Sequence, residues 1–135
     1  MSDKTFILTI ITPQRQVYQE PVNMVIVQTA DGEIGVLAGH IPLVAPLAIG
    51  PMRIKTADGE RKAAISEGFI EISSQGVLLL CETAEMAEEI DIARAESARQ
   101  RAQSRLQDKK AGIDFTRAQA ALQRALVRLK VAGRG

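Results

Sequence analysis

The stretch FIEISSQGVLLLCETAEMAEEIDIARAESA (residues 69–98) contains the point at which the hydrophobic period of the chain changes. FIEIS at 69–73 alternates apolar and polar residues, and VLLLC at 77–81 is a short, continuous apolar run. Both patterns are typical of β-strands separated by a turn. From residue 82 onward the period is helical, and one helix face carries Ala95, Ala98, Ala102 and Leu106. We therefore expect strands before residue 82 and helices after it.

The part of the chain that precedes this stretch has further strand-like runs. They are rich in apolar and β-branched residues and lie at 5–11, 22–29, 53–56 and 62–66. The tetrapeptide TADG occurs twice, at 29–32 and 56–59, and Asp-Gly supplies the backbone conformation that tight hairpins need. Short strands at this spacing predict a sandwich or a barrel. Two small sheets over residues 1–86 would cover both apolar faces, which favours a β-sandwich.

One apolar segment of the N-terminal part fits neither period. GVLAGHIPLVAPLAIGPM (35–52) holds three Gly and three Pro and no acidic or basic side chain apart from His40. Because proline removes a backbone donor, we expect a loop here and no long central strand. Such a loop is either a docking surface or a cover over one open end of the sandwich, and the residues alone leave both alternatives open.

The C-terminal part predicts two helices. Asp91 is a candidate N-cap for the first and Asp114 for the second, with a break at Gly112 between them. The expected apolar stripe of the second helix is Phe115, Ala118, Leu122, Ala125, Leu126 and Leu129. The predicted fold class is therefore α+β: an N-terminal β-sandwich followed by a C-terminal antiparallel two-helix hairpin over residues 87–135. Because alanines bury little apolar area, we expect the hairpin to be weakly held.

Composition excludes several classes of protein. Aromatic residues make up only 3% of the chain, which argues against a base-stacking platform for single-stranded nucleic acid. No apolar run approaches the roughly 18 residues that span a bilayer, and the N-terminus lacks the pattern of a secretory signal. Cys81 is the single cysteine, so an internal disulfide is impossible. We expect a cytosolic protein without structural metal.

Charge is unevenly distributed along the chain. Residues 82–91 hold five acidic and no basic side chains, whereas residues 92–135 hold eleven basic and three acidic ones, a net charge of +8. This excess predicts an anionic partner for the last third, either a nucleotide, a nucleic acid or an acidic protein surface. The alternative is a solvated helix face.

Catalytic motifs are absent from the sequence. It contains no HExxH, GxSxG, CxxC or GxxxxGK[ST] pattern, and these motifs would place metal ligands, nucleophiles or phosphate-binding loops. The single histidine, His40, has no partner nearby in sequence that would make it a nucleophile's base or a metal ligand. We interpret His40 as structural or interfacial, and the chain as a protein that is not an enzyme.

Four arginines have a spacing that suits an anion. Arg94 and Arg101 are seven residues apart on the first helix, and Arg124 and Arg128 are four apart on the second. In a hairpin their guanidinium groups can converge on a phosphate, while the Asp91 carboxylate can accept from a ribose hydroxyl or an exocyclic amine. The alternative is an N-cap followed by solvated arginines.

Four motifs resemble one known family along almost the whole chain. They are TPQRQVY (12–18), DGEIGVLAGHIPLVAPL (31–47), SEGFIEI (66–72) and IDIARA (90–95). In order and spacing they are similar to the epsilon subunits of the bacterial F-type proton-translocating ATP synthase, of the Bacillus-like, ATP-binding type. The IDIARA segment matches the nucleotide motif I/L-D-x-x-R-A of that family at each fixed position.

The resemblance implies a non-catalytic subunit of the central stalk. Its sandwich would contact the gamma subunit and the c-ring, through Glu33 and through His40, Ile41 and Pro42. Its helical domain would inhibit ATP hydrolysis when extended toward the alpha and beta subunits. The resemblance also implies a peripheral location on the cytoplasmic face of the bacterial plasma membrane, reached only through the complex.

A regulatory nucleotide is the second implication of the resemblance. ATP bound to the folded hairpin would stabilise the non-inhibitory state, and no cofactor is required. The implied ATP-binding residues are Glu85, Ile90, Asp91, Arg94, Arg124 and Arg128, with Arg101 as a further candidate.

Two other functions remain as alternatives. The first is a stand-alone ATP-sensing module, in which nucleotide binding is itself the function. The second is a nucleic-acid-binding domain that uses the basic hairpin. The near-neutral net charge of +1 and the few aromatic residues disfavour nucleic acid as a partner.

Overall fold

The computed structural model describes residues 4–108 and 114–133, and the predicted break at Gly112 lies outside them. Ten strands precede a short 3₁₀ helix and two α-helices. The strands are β1 (Phe6–Ile11), β2 (Gln16–Val22), β3 (Met24–Thr29), β4 (Gly32–Leu37), β5 (Leu43–Leu47), β6 (Gly50–Thr56), β7 (Gly59–Ile65), β8 (Gly68–Ser73), β9 (Gly76–Cys81) and β10 (Ala84–Met86). The helices are the 3₁₀ helix Ala87–Glu89, α1 (Ile92–Gln107) and α2 (Phe115–Val131).

The strands pair into one continuous sheet that folds over on itself as a sandwich. The strand order is β10-β7-β6-β3-β5-β8-β9-β1-β2, and β4 pairs with β3. Neighbouring strands are antiparallel except β1 and β9, which run parallel with Leu8 opposite Val77. The predicted fold class, a β-sandwich followed by two helices, is confirmed, although one folded sheet replaces the two separate sheets that we expected.

Both TADG segments form hairpin turns of the same design. In the first, Thr29 Oγ1 donates to the Gly32 carbonyl at 2.7 Å, and in the second Thr56 Oγ1 donates to the Gly59 carbonyl at 2.9 Å. Gly32 and Gly59 have φ of +120° and +127°, which residues with a side chain rarely adopt. The Asp-Gly signal therefore located these two hairpins correctly.

The interpretation of residues 35–52 as a loop is wrong for most of its length. The segment contains the end of β4, all of β5 and the start of β6, and only residues 38–42 and 48–49 lie outside strands. Pro46 is tolerated in β5 because that strand pairs fully with β8 but meets β3 only where Thr29 faces Leu47. Pro46 has no backbone N–H to donate, and it lies in a strand that is paired along most of its length on one side only.

The core of the sandwich is aliphatic. Its members alternate along the strands, as the pattern of FIEIS predicts. The largest fully buried side chains are Leu8, Ile10, Met52, Ile54, Ile70 and Leu79. Every residue of the main core cluster lies between Phe6 and Met86, so this core is complete before the first helix begins.

The helices begin where the predicted caps lie. The Asp91 carboxylate accepts from the backbone N–H of Arg94 at 3.0 Å, and the Asp114 carboxylate accepts from that of Arg117 at 3.0 Å. Helix α1 packs on α2, and α2 in turn packs on β6 and β7. The buried face of α1, Ala95 and Ala102, therefore meets α2 through small side chains.

Helix α2 has a second buried face that the expected stripe missed. Val127 and Val131 pack with Ala64 of the sandwich, whereas Phe115 and Leu126 of the expected stripe are 49% and 41% exposed. The expected stripe accounts only for the face of α2 that packs on α1, whereas α2 also packs on the sandwich. None of the described helices is long and apolar enough to cross a bilayer.

Candidate functional site

A cleft of about 600 Å³ opens between the sandwich and the helical part. Its volume lies in the range of small-molecule sites, about 300–1,000 Å³. Its walls come from the β1–β2 turn, from the segment around β10 and from both helices. The lining residues are Thr12, Gln14, Arg15, Thr83, Ala84, Glu85, Glu89, Asp91, Arg94, Ala95, Ala98, Arg101 and Arg128.

The cleft brings together most of the residues predicted to bind ATP. Glu85, Asp91, Arg94 and Arg128 line it, and so does the further candidate Arg101. Arg94 and Arg101 lie two turns apart on α1, and Ala95 and Ala98 of the alanine stripe line the cleft beside them. Those alanines leave the space that the cleft occupies, since a longer side chain on this face would fill it.

Arg128 and Glu85 form an ion pair across the cleft wall. Arg128 Nε donates to Glu85 Oε1 at 2.6 Å, and its Nη2 lies 3.5 Å from Thr83 Oγ1. The two charged side chains are 25% and 32% exposed. The pair joins α2 to β10, so one guanidinium of the cleft already has an anionic partner.

Arg94 and Arg101 are not paired in this way. Neither side chain forms an ion pair with a carboxylate in residues 4–108 and 114–133. One oxygen of the neighbouring Asp91 caps the helix. The cleft therefore holds two guanidinium groups that form no ion pair within the described residues, and guanidinium forks favour oxyanions such as phosphate.

Arg15 and Glu89 form the other rim of the cleft. Arg15 Nη1 lies 3.1 Å from Glu89 Oε2, and its Nη2 lies 3.1 Å from Oε1. The same carboxylate accepts from the backbone N–H of Met86 at 3.1 Å. The hydrogen bonds from Arg15 hold the pKa of Glu89 below its ordinary value, against the opposing effect of partial burial. This two-pronged contact ties the 3₁₀ helix to the sandwich.

The polar residues of the β1–β2 turn were not predicted as site residues. Thr12, which is 7% exposed, accepts from the backbone N–H groups of Gln14 and Arg15 through its hydroxyl, each at 3.3 Å. This contact shapes the turn that presents Arg15. The signal was present in TPQRQVY, one of the motifs that carry the family resemblance.

Two predicted ATP-binding residues lie away from the cleft lining. Ile90 is 8% exposed and packs with Ala64, Val127 and Val131. Arg124 pairs instead with Glu67, its Nη1 lying 3.0 Å from Oε2 and 3.1 Å from Oε1. The i, i+4 spacing placed Arg124 and Arg128 on one face of α2 but did not show that the two side chains reach different neighbours.

The residues predicted to contact partner subunits lie on β4 and in the segment between β4 and β5. Glu33 is exposed on β4, where its Oε2 accepts from Gln28 Nε2 at 2.9 Å. His40 and Ile41 follow a turn at Gly39, where φ is +81°. His40 Nδ1 lies 2.6 Å from the Ile41 carbonyl, and Pro42 is exposed.

Apolar side chains are concentrated around this turn. Ile41 is 77% exposed and therefore does not cover the end of the sandwich. Its exposed apolar neighbours in sequence are Leu37 at 58%, Leu43 at 38% and Val44 at 65%. Several exposed aliphatic residues in one short segment are typical of an interaction surface.

The fold and the cleft define the class of protein: a β-sandwich joined to two packed helices, with a cleft between them that four arginines and three carboxylates line. The model of the ATP synthase delta/epsilon chain beta-sandwich domain matches residues 5–87, and that of the delta/epsilon chain long alpha-helix domain matches residues 88–133. The chain therefore belongs to the ATP synthase delta/epsilon chain family, among its epsilon chains, which are non-catalytic subunits.

Individual relatives agree with this assignment. The ATP synthase epsilon chain of Pelotomaculum thermopropionicum is 52% identical over 134 residues, covering 99% of this chain and 100% of the relative. That of Caldanaerobacter subterraneus is 47% identical over 133 residues, covering 98% and 96%.

Solved structures show the same fold. A chain of the Euglena gracilis mitochondrial ATP synthase, in its OSCP/F1/c-ring assembly, has a TM-score of 0.78 at 29% identity and covers 97% of this chain and 85% of its own. A chain of the Tetrahymena thermophila central stalk/c-ring structure has a TM-score of 0.59 at 11% identity, covering 98% and 99%, and supports the fold alone.

Proposed function

We propose that this chain is the subunit of an ATP synthase central stalk that couples the rotor to the catalytic core and regulates ATP hydrolysis through its helical hairpin. The observation that carries the proposal is the cleft, because its walls come from both the sandwich and the hairpin. A ligand in the cleft would therefore bind only when the hairpin is docked, and would stabilise that state.

ATP is the ligand that suits the cleft best. Arg94 and Arg101 form no ion pair within the described residues and would donate hydrogen bonds to the phosphate oxygens. Arg128 would join them by sharing its contact with Glu85. The second oxygen of Asp91 is available for a ribose hydroxyl or the adenine amine. Ligand binding to the docked state alone stabilises it by about 2.7 kcal/mol at a hundredfold excess over Kd.

The undocked hairpin is the proposed inhibitory state. Release of α2 would break the ion pairs of Arg124 and Arg128 with the sandwich. Both guanidinium groups would then be available to acidic surfaces of the alpha and beta subunits. Inhibition and ATP binding would oppose each other because ATP binds only the docked state and because Arg128 would serve both states.

The partner surface on the sandwich is the segment 33–42. We assign it to the gamma subunit and the c-ring, since Ile41 and its apolar neighbours are exposed in the isolated chain. Attachment through this surface would hold the subunit at the cytoplasmic face of a bacterial plasma membrane through the complex alone.

Calorimetric titration of the chain with ATP tests the nucleotide site. We expect Arg94→Ala and Arg101→Ala each to raise Kd about tenfold or more, because each removes a charge-assisted contact worth roughly 1.5–3 kcal/mol. Arg105→Ala is the matched control, since Arg105 is an exposed arginine on α1 that does not line the cleft. Equal affinities in the three variants would contradict a phosphate site in the cleft.

A further inference from the structure

Arg124 lies one helical turn from Arg128 but makes a different contact. Arg128 lines the cleft, whereas Arg124 lines only a small adjoining recess, which shares Thr83 and Arg128 with the cleft. We propose that Arg124 is a positioning residue: its ion pair with Glu67 fastens α2 to the sandwich and so holds Arg128 at the nucleotide cleft. The part concerning nucleotide rests on the proposed function; the fastening does not.

The geometry of the pair suits an attachment that can open and close. Arg124 Nη1 lies within 3.0 and 3.1 Å of the two carboxylate oxygens of Glu67. The side chains are 29% and 47% exposed, so each partner is accessible enough to separate without leaving a buried charge behind. The contact is therefore reversible, as an attachment that opens and closes must be.

Glu67 stands on a rigid part of the sandwich. The neighbouring Ser66 is 2% exposed, and its backbone N–H and its hydroxyl both donate to the Thr83 carbonyl, each at 3.1 Å. The Ser66 hydroxyl accepts from the Thr83 N–H at 2.8 Å, and the Glu67 carbonyl accepts from the Glu82 N–H at 2.9 Å. The backbone below the carboxylate is thus held in place, and α2 is the movable partner.

The contact between α2 and the sandwich is a narrow stripe. Arg124, Val127, Arg128 and Val131 follow the spacing i, i+3, i+4, i+7 of one helix face. The two valines pack with Ala64 and Ile90, and the partly buried Ile49, Ala87 and Ala132 pack against this small apolar cluster. Beside this cluster, the pairs of Arg124 with Glu67 and of Arg128 with Glu85 add directional contacts between α2 and the sandwich.

Only one of these two pairs is independent of the cleft. A phosphate in the cleft would compete with Glu85 for Arg128, because Arg128 lines the cleft. Neither Arg124 nor Glu67 lines the cleft, so we expect their pair to persist whether or not the cleft is filled. It can therefore hold α2 in place while Arg128 exchanges its carboxylate partner for a nucleotide.

A double-mutant cycle on the full chain separates positioning from direct binding. We expect Glu67→Gln and Arg124→Ala to raise the apparent Kd for ATP by a similar factor, about two- to fivefold, because each lowers the docked population. The double variant should be no weaker than either single one. The charge-reversed pair Glu67→Arg, Arg124→Glu should restore most of the affinity. The proposal would be overturned if Arg124→Ala raised the apparent Kd far more than Glu67→Gln and if the two effects were additive in the double variant. That result would show that Arg124 contacts ATP directly.

Hydrogen exchange without nucleotide tests the fastening by itself. We expect α2 amides to exchange faster in Glu67→Gln and in Arg124→Ala than in the unaltered chain, with β1 and β9 unchanged and the charge-reversed pair protected again. Arg117→Ala, at an exposed arginine in the first turn of α2, is the control and should leave exchange unaltered. Unchanged exchange in both single variants would overturn the fastening. If no form of the chain binds ATP, the nucleotide site fails while the exchange result still decides whether Arg124 positions α2.

Discussion

Both terminal nitrogens of Arg15 contact the carboxylate of Glu89, each at 3.1 Å. The two residues are 74 positions apart, and their contact ties the β1–β2 turn to the 3₁₀ helix that leads into the hairpin. Beside it, Arg61 pairs with Glu88 of the same 3₁₀ helix. Two adjacent residues, Glu88 and Glu89, thus hold the connection between the sandwich and the hairpin in place. We therefore expect the segment that moves with the hairpin to begin after Glu89.

Because of the Arg15–Glu89 contact, we expect part of the free energy of unfolding to be lost at acid pH. The pKa of Glu89 is lowered by Arg15 in the folded state, so its contribution is present above the ordinary pKa of 4.5 and is lost as pH falls through the lower folded value. Because the side chains are 46% and 37% exposed, Arg15→Ala should cost less than about 1 kcal/mol at neutral pH. Urea unfolding at pH 7 and at about pH 3 measures this. A stability difference as large at pH 3 as at pH 7 would contradict the assignment.

Local patterns predicted the elements whose causes are local. Asp91 and Asp114 cap their helices as expected, and FIEIS lies within β8. The Asp-Gly turns also follow from the conformational freedom of one glycine each. Such features depend on a few neighbouring residues, so the sequence shows them directly.

Features that depend on residues far apart in the sequence could not be predicted from local patterns. Strand β5 contains Pro46, which argues against a strand, and only its pairing with β8 identifies it as one. Val127 and Val131 fall outside the expected stripe because they meet the sandwich and not α1. The Arg124–Glu67 pair joins residues 57 positions apart, and helix spacing shows which residues share a face but not what that face contacts.

The exposed loop predicts a variant that assembles poorly yet folds normally. Ile41 is 77% exposed, so Ile41→Glu should change the free energy of unfolding by no more than about 0.5 kcal/mol. In the complex the same charge would meet an apolar partner surface, and co-purification with the stalk should fall strongly. Gln75→Glu adds a charge at an exposed position in the β8–β9 turn and is the control. Normal co-purification of the Ile41 variant would exclude this loop as the docking surface.

The buried thiol of Cys81 predicts protection from modification. Burial raises its pKa to about 12 from an ordinary value of 9.0, so the folded protein holds about a thousandfold less thiolate at neutral pH than the unfolded chain. Since the folded pKa is raised, ionisation of the thiol favours the unfolded chain, and the free energy of unfolding falls as pH rises from 9 to about 12. A thiol reagent at pH 8 should react only after denaturant is added. Rapid labelling of the native chain would show that Cys81 is accessible.

Removing everything after Glu89 tests the division into two domains. The core cluster contains only residues from Phe6 to Met86, so the truncated chain should retain a cooperative thermal transition. Ile90, Val127 and Val131 would no longer cover Ala64 and Ile49. We therefore expect a melting temperature lower by several degrees, in keeping with the loss of one or two small apolar contacts in a domain of this size.

In a reconstituted ATP synthase the same truncation separates the two proposed activities. The docking segment 33–42 is intact, so the sandwich should still assemble on the stalk and support coupling. Inhibition of hydrolysis should be lost, because the arginines of α2 are absent. An unfolded truncated chain would show that the hairpin belongs to the same folding unit as the sandwich. If the truncated chain is folded and still inhibits fully, the inhibitory surface lies on the sandwich, and the hairpin has no regulatory role.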